Sequence, residues 1–467
     1  MLRAMDTRFD AELIRRYDRP GPRYTSYPTA PQFHADFGAS DYAAAAQASN
    51  ASGRPLSLYL HVPYCRSSCY YCGCNRIITR NRERGRAYLD RLLREIELQA
   101  ALYARSRPVN QLHFGGGTPT YYTPEEMAEI FAALERGFGL HRGERRDYGI
   151  EIDPRTADPS ALRALVALGI NRISLGVQDF DPDVQRAVNR LQSVEETSRL
   201  VEAARTAGIG SINFDLIYGL PHQQVASFAR TLDTVIALRP DRIAAYSYAH
   251  LPELFKSQAV MDPATLPSPE TKLALLELTI ARLAEAGYVH IGMDHFALPE
   301  DELARAQIDG TLQRNFQGYT THGGCDLVAL GMSAIGQVGE VYAQNEKHEI
   351  PYLNAIDQGR LPIQRGLVTD ADDRLRRAVI GQIMCFGRLD YADFQALHGV
   401  DFTDYFADAL ARLRGPEQDG LVQLSEAALT VTPSGAMLLR VIAMAFDAYL
   451  NGDKQAQAAR ARFSRVV

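Results

Sequence analysis

Between residues 57 and 250 the chain alternates six times between a short β-rich run and a stretch of helical period. That rhythm admits little other than a parallel sheet covered by helices, with right-handed crossovers. The runs are SLYLHV (57–62), QLHF (111–114), YGIEID (148–153), RISLGVQ (172–178), SINFDLIYG (211–219) and RIAAYSYAH (242–250). Helices are expected at 84–104, after Thr123-Pro124-Glu125-Glu126, and at 159–168, 182–188, 194–207, 227–238 and 271–286, several opened by N-cap and first-turn residues. Six such units predict an incomplete (β/α)6 barrel, whose gap would admit a substrate too large for a closed eight-stranded one.

The flanks break the rhythm. Residues 1–53 read as an N-terminal extension with an aromatic loop, RYTSYPTA (23–30). Residues 54–360 hold the barrel and substrate-site segments, and 361–467 read as a small, mainly helical domain with a β-rich turn at 421–432. The formal net charge of −6 argues against a sequence-independent nucleic-acid binder. No apolar run approaches the roughly 20 residues that span a bilayer, and the charged first twenty residues lack a signal peptide's apolar stretch. A cytoplasmic protein is expected. Of the basic residues only Lys256, Lys272, Lys347 and Lys454 are lysines. Codon bias suffices to explain this, although arginine also suits bidentate recognition of carboxylates.

Chemistry enters with the cysteines. Cys65, Cys69, Cys72 and Cys74 fall within HVPYCRSSCYYCGCN, directly after the first strand, while Cys325 and Cys385 stand apart. Such a tight group in a cytosolic chain favours metal over disulfides. A structural zinc usually draws on two separated ligand pairs, and a redox C-x-x-C rarely has further thiols beside it. The spacing C-x₃-C-x₂-C offers a third reading, in which three thiolates ligate a 4Fe–4S cube and one iron stays open to a small chelator.

Other candidates sit at strand ends. Gly115–Gly117 follow the second strand, where missing Cβ atoms let backbone approach a ligand. GGGTPT lacks the pattern and the lysine of nucleotide-triphosphate loops. Glu151, Gln178 and Asp215 place polar groups in or after strands covered on both faces, where burial without partners is costly.

The cysteine spacing resembles that of radical S-adenosylmethionine (SAM) enzymes. In these, SAM chelates the open iron and an electron cleaves its S–C5′ bond to give a 5′-deoxyadenosyl radical. Further segments resemble one family within that superfamily, the oxygen-independent coproporphyrinogen III oxidases (dehydrogenases) of haem biosynthesis. These segments are RYTSYPTA, YLHVPYCRSSCYYCGCN, HFGGGTPT, IEIDPR, GVQDF with QRAVNR, FDLIYGLP, YSYAHLP, GYVHIGMDHFALPEDELARA, NFQGYTTH, SAIGQVGEVYAQN and VTPSGAMLLRVIAMAFDAYL.

The resemblance implies a cluster on Cys65, Cys69 and Cys72, with Cys74 outside the ligand set, and two bound SAM molecules. Tyr59, Gly116, Glu151 and Ile335 would contact the SAM on the cluster, with Tyr59 and Glu151 as catalytic candidates. Tyr71, Gly117, Thr118, Gln178, Arg190, Asp215 and Ala249 would contact the second. The implied reaction converts the ring A and ring B propionates of coproporphyrinogen III to vinyl groups, giving protoporphyrinogen IX. It calls for a low-potential electron donor and an electron acceptor, neither identified by the sequence. A monomer is expected. Related haem carriers share the three-cysteine motif but typically lack the fourth cysteine and the aromatic loop, and related enzymes that open or methylate the haem ring share the cluster and glycine loop.

Overall fold

The computed structural model describes residues 7–141, 143, 146–452, 454 and 463–466. The chain divides into two compact units: one built from 34–275 and 324–368, the other from 1–33, 276–323 and 369–467.

In the first unit the expected alternation is present. Strands β1 (Leu56–Val62), β2 (Val109–Gly116), β3 (Asp147–Ile152), β4 (Arg172–Gln178), β5 (Ser211–Tyr218) and β6 (Arg242–Ser247) follow one another in parallel register. The sheet stays open, as an incomplete barrel, and continues beyond β1. There β7 (Asp326–Leu330) joins β1 in parallel, and β8 (Ile335–Val338), β9 (Val341–Asn345) and β10 (Ile363–Val368) follow as an antiparallel meander.

Helices α1 (Arg82–Ala100), α2 (Pro124–Phe138), α3 (Pro159–Leu168), α4 (Pro182–Ala187), α5 (Val194–Thr206) and α6 (Val225–Leu238) lie between successive strands. Their starts are written locally. The side chains of Asn81, Thr123, Asp158, Asp181 and Ser193 accept hydrogen bonds from first-turn N–H groups, and proline occupies the first helical turn of α2, α3 and α4.

Strand periodicity then decides which side chains meet helices and which meet the interior. On β4 and β5 the residues Ile173, Leu175, Val177, Ile212, Phe214 and Leu216 are fully buried. Those between them, including Ser174, Gly176, Gln178, Asn213 and Asp215, are half-buried. Period two thus places one apolar and one polar set on opposite faces of the same strands. Burying each large apolar side chain contributes roughly 1.5–3 kcal/mol, so a register slip of one residue would be prohibitive.

The second unit is mainly helical at its C-terminal end. The strands Arg388–Asp390, Val422–Leu424 and Ala428–Val431 form a small antiparallel sheet, with the last in the middle. The aromatic loop is part of this unit's core. Tyr24 and Tyr27 are buried with Ile380, Ile383, Phe402 and Phe446. Tyr24 Oη donates to Asp447 (2.9 Å), and Tyr27 Oη accepts from the Ala448 N–H (3.0 Å). The two units partition the chain differently from the composition-based segments 1–53, 54–360 and 361–467, since contact groups the first 33 residues and 276–323 with the C-terminal helices.

Candidate active site

The cysteine loop leaves β1 at Pro63 and is held from several sides. Asn189 Nδ2 donates to Ser68 O (2.7 Å), the Tyr70 N–H to Val188 O (3.0 Å), and Gln258 Nε2 to Tyr71 O (2.9 Å). Arg76 reaches back across the loop to Cys72 O (2.9 Å) and Cys69 O (3.2 Å), and onward to Ser257 (3.1 Å).

The glycine loop lies directly beside it. The Gly117 N–H donates to Val62 O (2.7 Å) and the Thr118 N–H to Tyr64 O (2.9 Å). A Cβ on Gly117 would stand 2.7 Å from the Pro63 carbonyl atoms, so only glycine permits this approach. Gly116 adopts φ +111°, where L side chains are strained, and a Cβ there would meet the His61 ring at 2.6 Å.

A cavity of about 300 Å³ opens where these loops meet the polar face of the sheet. Its walls include Cys65, Cys69, Cys72, Cys74, Tyr71, Gly116, Gly117, Thr118, Glu151, Gln178, Arg190 and Asp215. Most of the sequence candidates are therefore brought together. Three are not on that wall. Tyr59 lies on β1, its ring stacked on His113 at 6.0 Å and its hydroxyl 3.1 Å from His61 Nδ1. Ile335 opens β8 opposite Gln344, and Ala249 lies just beyond β6. Gln178 ends β4 with φ +64°, a strained conformation for a residue with a side chain and common at functional sites.

Each of the first three thiols has a hydrogen-bond donor 3.4 Å from its sulfur. Thr118 Oγ1 donates to Cys65, Arg155 Nη2 and Arg190 Nη1 both donate to Cys69, and the Cys74 N–H donates to Cys72. None of the six cysteines is in a disulfide. Burial pushes the Cys65 thiol up to about 11, with Thr118 acting against it, whereas Cys72 is drawn down beside Cys74 and Arg76. Donors aimed at sulfur favour thiolate, the form that binds metal. Three soft donors on one short loop, converging on one cavity, fit an iron–sulfur cluster better than hard cations, which prefer oxygen.

Charged groups surround the thiols. Burial pushes Glu151 up, but His113 Nε2 (3.3 Å) and the Gly116 N–H (3.2 Å) outweigh it and hold the carboxylate below its ordinary value. Asp215 goes the other way: burial, with Glu151 second, raises it to about 6, although Ser174 and Asn213 each donate to it at 2.9 Å. Asp153 bridges the two arginines on Cys69, at 2.6 Å from Arg155 and 3.1 Å from Arg190. Asp153, Arg155, His113 and Arg76 were not singled out from sequence. Asp153 and Arg155 had a legible signal, a charged pair just past a strand end; His113 had none beyond alternation.

The Radical SAM superfamily model matches residues 59–235, and that of the HemN C-terminal domain matches residues 369–438. The chain is 54% identical over 464 residues to the oxygen-independent coproporphyrinogen III oxidase of Pseudomonas aeruginosa, covering 99% of this chain and 100% of that one. The chain belongs to this oxidase family. The Escherichia coli member is 46% identical over 459 residues, covering 98% of each chain. A solved structure described as coproporphyrinogen III oxidase (HemN) from Escherichia coli, a radical SAM enzyme, superposes with a TM-score of 0.91 at 45% identity, covering 95% of this chain and all of the other. The family is one of radical-SAM enzymes of porphyrin biosynthesis, and membership carries with it a 4Fe–4S cluster and SAM. No helix among the described residues is long and apolar enough to cross a membrane.

Proposed function

We propose that the chain converts the ring A and ring B propionates of coproporphyrinogen III to vinyl groups, giving protoporphyrinogen IX and CO₂, with two SAM molecules consumed. The observation that carries this reading is the convergence of three hydrogen-bonded thiols with Gly116, Glu151, Gln178, Arg190 and Asp215 on one cavity.

In this reading Cys65, Cys69 and Cys72 hold the cluster, and Cys74 stays outside the ligand set. Tyr59, Gly116, Glu151 and Ile335 serve the SAM on the cluster, while Tyr71, Gly117, Thr118, Gln178, Arg190, Asp215 and Ala249 serve the second. The residue chemistry supports the division. An ionised Glu151 beside the glycine backbone suits a cationic amino group, and Asp215 with Ser174 offers acceptors for hydroxyls. Arg190 spans Cys69 and Asp153, so it holds the thiolate charge and the loop together.

When bound, cluster and SAM together supply an electron and a carbon radical able to take a β-hydrogen that is not acidic. The residues' part is to orient the propionate, keep water from the reacting carbon, and hold the anionic groups ionised. Loss of CO₂ then requires one electron to leave to an acceptor, so a donor and a separate acceptor are needed as partners. A monomer acting in the cytoplasm fits this reading.

The test is anaerobic incubation of the reconstituted protein with coproporphyrinogen III, SAM and a reductant, with haem in a parallel incubation. Vinyl product, CO₂ and 5′-deoxyadenosine are expected, and Cys69→Ser is expected to lose bound iron and sulfide. Haem capture without turnover, or ring opening, would overturn the reading.

A further inference from the structure

In the unit built from 1–33, 276–323 and 369–467, a short hairpin pairs Gln313–Asn315 with Gly318–Thr320, setting Arg314 opposite Tyr319. The Arg314 guanidinium lies over the Tyr319 ring, 4.7 Å from its centroid, and its Nε donates to Arg23 O (3.3 Å). Its Nη1 is shielded from solvent and has no hydrogen-bond partner among the described residues. Among the described residues no carboxylate is ion-paired with it either. Gln317 Nε2, in the turn of the same hairpin, is likewise shielded and unbonded.

Two more guanidiniums act nearby. Arg23 is ion-paired with Asp294. Arg440, itself buried, donates to the carbonyls of Gly21, Pro22 and Arg465, and lies close enough to Arg23 and Arg314 to feel both charges. Among the nearby carboxylates, Asp294 pairs with Arg23, and Asp18 with Arg465. Arg314 and Arg23 are half-buried and Arg440 is buried, so three guanidiniums gather about the shielded Arg314 Nη1. An unpaired donor in such a place is costly, and a guanidinium lacking its anion more so.

We infer that Arg314, oriented by Tyr319 and flanked by Arg23, binds a carboxylate of a polycarboxylate ligand. The chemistry fits a planar fork held flat on an aromatic ring, which recognises carboxylates bidentately. This rests on the proposed function only in taking the ligand to be a porphyrin-type polycarboxylate.

The test measures binding of coproporphyrin III, an aromatic tetracarboxylate that cannot turn over, and of its uncharged tetra-amide to the full-length holoenzyme. The wild type is expected to prefer the acid, and Arg314→Gln to reduce that acid-to-amide ratio about 10- to 100-fold. Arg314→Lys keeps the charge without the fork and should fall between them, which retains a readout if the glutamine variant does not fold. An unchanged ratio in either variant, or no acid preference in the wild type, overturns the inference. Acid preference without decarboxylation of coproporphyrinogen III would instead overturn the proposed function and leave this site standing.

Discussion

Gly117→Ala tests the close approach of the glycine loop to the cysteine loop. The new Cβ would lie 2.7 Å from Pro63 C and O and 2.9 Å from Tyr64 O. All three are backbone atoms, so no side chain can rotate away, and the two loops must separate by about half an ångström or more to reach ordinary contact. Gly117 has an ordinary φ, so alanine would gain roughly 0.4–1 kcal/mol through the unfolded chain. Overpacking against fixed backbone costs about 1–3 kcal/mol, so the net expectation is a loss of about 1–2 kcal/mol. That predicts a Tm lower by roughly 2–8 °C. The separation also strains the Thr118 N–H bond to Tyr64 O and the Thr118 contact with Cys65, so iron retention should fall.

Gly115→Ala is the informative partner. There the clash, at 2.8 Å, is with Glu151 Oε1, the end of a side chain that can swing aside. Stability should be nearly unchanged, while Glu151 loses His113 and the Gly116 N–H and its pKa rises under burial, with His61 left to oppose it. Differential scanning calorimetry with iron and sulfide analysis of both variants separates the cases. A Gly117→Ala protein with parental Tm and full iron would refute the reasoning, as would identical behaviour of the two.

Burial raises Glu95 to about 7, although it accepts from Tyr352, the Gly331 N–H and Asn345 at 2.7 Å each. A raised folded-state pKa gives stability that is full below the ordinary value of 4.5 and lost as pH passes 7, on the order of 3 kcal/mol. Glu95→Gln should flatten the fall in denaturation midpoint between pH 5 and 8, and a parallel fall in both proteins would contradict this. Asp326 and Arg107 form an ion pair with side chains 3% and 2% exposed, so Asp326→Ala should cost about 3–5 kcal/mol in urea unfolding. Thr118→Val removes the donor that lowers the Cys65 thiol, so alkylation of Cys65 in iron-free protein at pH 9, mapped by mass spectrometry, should slow several-fold.

How much of this was legible depended on whether the signal was local. β4 was read to its last residue because Arg172–Gln178 alternates cleanly and ends before a proline-led helix. The cysteine and glycine loops were legible because few residue types serve those roles. β7 was not, since Asp326–Leu330 is buried throughout and pairs with β1 across more than 260 residues, a register no local pattern records. Of the donors on Cys69, Arg155 was missed for a similar reason and Arg190 was named only through the resemblance: both are ordinary arginines until Asp153 draws them onto one sulfur. Tyr24 and Tyr27 stood out as a motif, but only their contacts reveal a packing role in the C-terminal core.

That packing sets a timetable for synthesis. Tyr24 and its acceptor Asp447 are 423 positions apart, so at about 5–20 residues per second the tyrosine leaves the ribosome roughly 20–85 s before its partner is made. Until residue 276 is reached the opening segment has nothing of its own unit to dock on, and the core around Tyr24 and Tyr27 is complete only with the C-terminal helices, so a polypeptide released early would leave two tyrosines as a greasy tag for chaperones or proteases.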